Sequence, residues 1–259
     1  MHAGDVHHGS GARRKKPGFM WRQLLPLAFG VVLLLVGVAL VAFAPLQNSI
    51  SNSAALERAE SLSADLIDDW SEPADASDAD LDKVKMTRPL GKGFAFIYIP
   101  RLGKEWRAVV VEGVDQPDLE GAVGHFPETA DPGIVGNFAL AGHRNMDGSL
   151  FGNLDQVMNG DTVIVETRDR WITYTVTDRQ IISPYQVEVL EPVPYKPGKQ
   201  AEKAFITLTT CHPWWSSAQR LAIVGEMTEV RLKTMEPPKG VVVRERNTSQ
   251  PDAVKAADK

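Results

Sequence analysis

The chain's only cysteine, Cys211, closes a strand-like run, AFITLTTC, and is followed at once by His212 and Pro213. Phe, Ile, Leu and Thr suit a half-buried strand, and proline cannot continue a ladder, so the thiol is expected at a strand end where a loop opens. A thiolate there can attack a carbonyl and hold the acyl group as a thioester. Such chemistry needs a proton carrier and a donor for the oxyanion. Beyond the N-terminal leader the histidines are His125, His143 and His212. His212 adjoins Cys211, and successive strand side chains point to opposite faces, so it is poorly placed to reach the thiol. His125 lies in a turn-rich segment, GAVGHFP, where a structural role suits it. His143 ends the run NFALAGH and opens a polar loop, mirroring Cys211, and is the favoured partner. Arg220 begins the next strand-like run, RLAIVGEM; its permanent charge and five donors suit an oxyanion or a substrate backbone. Taken singly, an inert buried thiol and a solvated arginine are the commoner fates. Cys, His and Arg each at a strand end form a more specific combination.

These groups need a rigid scaffold. Strand-like runs fall at 94–99, 106–111, 137–141, 161–166, 171–177, 204–210 and 221–230, separated by turn-prone pieces such as ETADPG, NMDG and YKPG. Seven or eight strands so spaced predict an all-β barrel or sandwich, with room for a short helix or two in 112–136 and 142–160. The net charge of -5 argues against a nucleic-acid partner. A single cysteine excludes an internal disulfide framework and a multi-cysteine zinc site, and no metal or cofactor is expected. His2, His7 and His8 read as scattered tail histidines rather than a metal site.

The chain divides into a basic leader (1–22), an apolar segment (23–44), a stalk or linker (45–88), the β-domain (89–233) and a tail (234–259) without sustained apolar pattern, expected to be disordered. The uninterrupted apolar run, 24–44, would extend roughly 31 Å as a helix, the thickness of a bilayer's hydrocarbon core. Basic residues before it and the acidic 45–82 after it predict a single-pass anchor with its N-terminus in the cytoplasm and the β-domain outside. A cleaved signal peptide is the rival, but the run is long and Pro45 would follow the cut. Leu56, Ala59, Leu62, Leu66 and Trp70 recur at helical spacing, so 53–70 should be an amphipathic helix, read as a spacer with packing on the domain or on itself as the alternative; 71–82 reads as a linker.

TLTTC followed across a loop by an Arg-Leu strand, with GNFALAGHR upstream, resembles the sortases, membrane-anchored cysteine transpeptidases of Gram-positive bacteria. TLTTCHP and the run IPRLG…GHFPETADPGIVGNFALAGHR look most like class E sortases of actinobacteria. The resemblance covers about 94–230 and implies an eight-stranded sortase-type β-barrel with short helices. It also implies His143, Cys211 and Arg220 as catalytic residues, with Thr210 helping to hold the substrate or oxyanion. The implied substrates are surface proteins bearing a C-terminal LPXTG-like or LAXTG-like sorting signal, cut between Thr and Gly; the implied acceptor is an amine on a peptidoglycan precursor. Other classes remain open. An L,D-transpeptidase crowds its ligands around one motif, whereas His143 stands 68 residues before Cys211. A papain-like protease places its cysteine first. A non-catalytic surface β-barrel would leave Cys211 replaceable.

Overall fold

The computed structural model describes residues 19–71 and 88–242, in two units, 1–47 and 48–259. Most of the leader, the acidic linker and the end of the tail lie outside the described residues, as do the expectations made for them.

Helix α1 runs from Phe19 to Ser71. In the first unit its residues 31–39, all apolar, are exposed. Among the described residues no helix is long and apolar enough to cross a membrane.

The second unit is built on eight strands: β1 (Gly93–Tyr98), β2 (Arg107–Glu112), β3 (Val123–His125), β4 (Gly136–Ala141), β5 (Thr162–Glu166), β6 (Arg170–Ile182), β7 (Ala204–His212) and β8 (Gln219–Leu232). They close into a barrel in the order β1-β2-β3-β4-β7-β8-β6-β5. Seven coincide with the strand-like runs. β3 escapes sequence reading because three residues cannot establish an alternation. The second half of β6 is also longer than its pattern suggests. Asp178, Arg179 and Gln180 break the apolar alternation, yet pairing with β8 continues past a bulge to Ile182 opposite Arg220. The gap before β4 holds a short helix, α2 (Gln116–Leu119), and the gap after it a single 3-10 turn, Leu154–Gln156.

Alternation sorts the side chains into layers. Ile97, Val110, Phe138, Leu140, Ile206 and Leu208 are among those filling the barrel. A second apolar cluster on its outer surface joins Phe96, Tyr98, Val109, Ile164 and Trp171 to Leu62, Leu66, Ile67 and Trp70 of α1. The helix expected to act as a spacer is therefore part of the domain. Its apolar stripe finds an outward-facing apolar patch of β1, β2 and β5, with Trp70 edge-on to Phe96 at 5.5 Å. Close approach is possible because Gly121 (φ 68°) has no side chain: a Cβ there would stand 2.1 Å from the Ala55 carbonyl oxygen. Val241 packs against the same cluster, so residues just beyond β8 belong to the folded unit and the expected tail starts later than 234. A third cluster forms where the β6–β7 connection, with its 3-10 turn Val187–Leu190, folds over β7 and β8: Val189 and Leu190 meet Phe205, Ala222 and Val224.

Docking of the helix can be measured. Leu66 is 3% exposed, so Leu66→Ala should destabilise the domain by about 2–5 kcal/mol in chemical denaturation. A loss below about 0.5 kcal/mol would return the helix to a spacer.

Candidate active site

Strand parity and register bring three distant residues into one row. Ile206 and Leu208 point into the barrel, so Thr207, Thr209 and Cys211 face outward; likewise Leu221 and Ile223 point in, and Arg220 faces out with Ala222. β7 and β8 are antiparallel with Cys211 directly opposite Arg220. β4 and β7 are parallel, from Gly136 beside Ala204 to Ala141 beside Thr209. The offset persists past the end of β4. Gly142 N donates to Thr209 O (3.1 Å), and Thr210 Oγ1 donates to Gly142 O (2.8 Å). Arg144 Nη1 donates to His212 Nδ1 at 2.9 Å. His143 is the residue between these anchors, two beyond Ala141 as Cys211 is two beyond Thr209, so continuing the β4–β7 register past its last pair puts it opposite Cys211. His143, Cys211 and Arg220 thus occupy three neighbouring strand ends, with the cysteine in the middle.

The other members of the same segments hold the row in place. Thr210 is 3% exposed on the opposite face, its hydroxyl fixed on the carbonyl just before His143. A Cβ at Gly142 would meet the Phe151 ring at 2.6 Å, so the backbone before His143 rests directly on that ring. Arg144 is 4% exposed; besides His212 it reaches Cys211 O at 3.2 Å and Asp155 Oδ2 at 3.1 Å. His212 Nδ1 accepts from Arg144, and His212 serves as an anchor point. His125 is fully buried, with Nδ1 3.1 Å from Glu112 Oε2 and Nε2 3.2 Å from Ala130 O, in a network with Arg88 and Asp131 remote from the row in register. Sequence reading did not single out Arg144. Its only signal is arithmetic: Arg144 stands to His212 at the spacing of His143 to Cys211.

The row borders a walled surface. Asn137 Nδ2 donates to the carbonyls of Val189 (2.9 Å) and Glu191 (3.1 Å), and Thr207 Oγ1 donates to Asn137 Oδ1 at 2.8 Å. These bonds fasten the β6–β7 connection to the outer face of β4 and β7, two rungs from Cys211. On the other side the β7–β8 turn carries exposed Trp214 and Trp215. Arg220 Nη1 donates to Ser217 O (2.8 Å) and Gln219 O (3.0 Å) within that turn.

His143 is largely buried. Its Nε2 has no hydrogen-bond partner and lies 3.5 Å from Asp147 Oδ2. Burial pushes the imidazolium below the usual histidine range, while the carboxylates of Asp147 and Glu120 partly oppose it. A neutral imidazole beside a half-buried thiol can take the thiol proton and return it to a leaving amine, and the guanidinium on the far side can meet a developing oxyanion. In an NMR titration His143 should show a midpoint below about 6.5; one above it would contradict burial as the dominant influence.

The sortase domain family matches residues 97–228. The chain is 33% identical to sortase SrtE1 of Streptomyces coelicolor over 89% of its own length, spanning 64% of that relative. It is 30% identical to sortase SrtE2 of the same organism, over 91% of this chain and 97% of the relative. The crystal structure of sortase E1 from Streptomyces coelicolor with a tripeptide in the active site superposes with a TM-score of 0.54 and 36% identity, covering 59% of this chain and 98% of that one.

Proposed function

The chain belongs to the sortase family of cysteine transpeptidases, and on that premise we propose how its own residues carry out the transfer. Cys211 is the nucleophile, His143 the proton carrier and Arg220 the oxyanion donor. The observation that carries this reading is the single cross-strand row in which Cys211 lies between the other two. The Cys211 thiolate adds to the carbonyl of Thr in an LPXTG-like or LAXTG-like sorting signal, forming a C–S bond. The C–N bond to Gly then breaks, and imidazolium on His143 protonates the departing amine. An acceptor amine, on a peptidoglycan precursor, attacks the thioester; His143 removes its proton and Cys211 leaves as thiolate. Arg220 offers N–H donors where negative charge develops, so its contribution is larger in the transition state than in the ground state. Thr210 supports the row from behind, through Gly142 O. The enzyme acts at the outer surface of the cell, with segment 23–44 as its membrane anchor. The exposed apolar face of α1 over residues 31–39 and the charge asymmetry around it support that placement.

With a fluorogenic sorting-signal peptide, Cys211→Ala should abolish cleavage, and His143→Ala should lower it by roughly 10²–10⁴. Arg220→Lys should remain folded, still react with a small alkylating agent at Cys211, and cleave at least about tenfold more slowly, with kcat falling more than KM rises. A fully active Cys211→Ala protein would refute the mechanism, and near-normal cleavage by Arg220→Lys would reduce it to a Cys–His dyad. Protease added to intact protoplasts should digest the β-domain; its protection would place it inside.

A further inference from the structure

The loop after His143 contains a carboxylate gripped from two sides. Asp147 is one of few non-glycine residues with positive φ, 49°. Its Oδ2 lies 3.5 Å from His143 Nε2, while Oδ1 accepts a hydrogen bond from Ser51 Oγ of helix α1. Its carbonyl accepts from Gly121 N (3.1 Å), and the next residue, Gly148, donates its N–H to Asn52 Oδ1 at 3.3 Å. Successive turns of α1 therefore clamp this loop: Ser51 and Asn52 hold 147–148, and Ala55 sits against Gly121.

The geometry points to Asp147 as a positioning residue for His143, one whose own carboxylate is held by Ser51 of the docked helix, so that seating of α1 fixes the orientation of the catalytic imidazole. The inference rests on the reading of His143 as proton carrier. An imidazole performs directional proton transfer only if one nitrogen is oriented by a partner while the other faces the reacting group. Here Nε2 faces Asp147, which leaves Nδ1 to exchange a proton with Cys211. No group hydrogen-bonds to Nε2, and the carboxylate oxygen it faces is Asp147 Oδ2 at 3.5 Å. The charged groups that act on the ring are Asp147 in its own loop and Glu120 in the segment after α2; Arg220 on β8 lies beyond Cys211 in the register. Of the two carboxylates, Asp147 acts on the ring more strongly than Glu120; both reach helix α1, Asp147 by accepting a hydrogen bond from Ser51 and Glu120 by an ion pair with Arg58 at 3.7 Å.

The test uses the full chain and two variants. Asp147→Asn keeps the backbone, because asparagine is among the residues that tolerate the left-handed region, but removes the charge. Ser51→Ala keeps the carboxylate and removes its holder. Three quantities are read: the NMR midpoint of His143, the pH profile of Cys211 alkylation by iodoacetamide, and kcat and KM on a sorting-signal peptide. For Asp147→Asn the His143 midpoint should fall below that of the wild type, and kcat should drop roughly ten- to a hundredfold with KM little changed, as for a misoriented catalytic group. Ser51→Ala should lower kcat in the same direction by less. An unchanged His143 midpoint and unchanged kcat in Asp147→Asn would overturn the inference. If the wild type processes no sorting-signal peptide, the functional reading fails separately, while the His143 titration and the alkylation profile still decide whether Asp147 governs the imidazole.

Discussion

The parallel pairing of β4 with β7 is the constraint on which the reactive row depends. Side chains alternate with a period of two, so a slip of one residue would turn His143 toward Thr210's face of the sheet and leave Cys211 beside a glycine. Several independent features oppose such a slip. Phe138 and Leu140 fill the barrel beside Ile206 and Leu208. The Asn137–Thr207 hydrogen bond ties the strands on the outer face, and Thr210 and Arg144 tie them beyond the last rung of the ladder. Polar groups appear here inside a β-domain because their hydrogen bonds between the strands favour one register. The threonines of TLTTC illustrate this: Thr207, Thr209 and Thr210 are all buried, and each hydroxyl donates to a partner on or beside β4.

Electrostatics at the row follow from where it sits. An outward-facing strand end is wet, yet the imidazole is largely buried beneath the loop that follows it, and this keeps it neutral until the pH falls below the ordinary histidine range. The balance between burial, which lowers proton affinity, and two carboxylates, which raise it, is set by loop and helix rather than by the sheet. Sheet geometry fixes which residues meet; the surrounding segments adjust their protonation.

Much of this was legible in the sequence because the strands carrying the site are long, alternating and bounded by proline and glycine. The strand ends of AFITLTTC and NFALAGH could be read directly, and so could the unsuitability of His212, whose side chain belongs to the opposite face. Other features left no local trace. β3 is too short for a pattern, and polar residues interrupt β6 where a bulge restores its pairing. The docking of 53–70 was hidden for a different reason. An amphipathic stripe shows that a helix has a partner surface, but its complement here, the outward-facing Phe96, Tyr98 and Val109, reads as part of strands buried on both faces. Asp147 looked like a turn residue, and only folding brings Ser51 and His143 to its two oxygens.

Closure of the barrel has a consequence for how a peptide can be held. Each strand has neighbours on both sides, and β7, which bears Cys211, is paired with β4 as far as Thr209 and with β8 as far as His212. Over 205–209 its main-chain groups face a ladder on each side, so an extended chain cannot join the sheet there as an added strand, the mode by which many domains capture linear segments. Affinity must come instead from side chains and from the backbone of the two connections that flank the row. Selectivity for one linear motif over another is then a property of those connections, which can vary in sequence without disturbing the hydrogen-bonded framework beneath them.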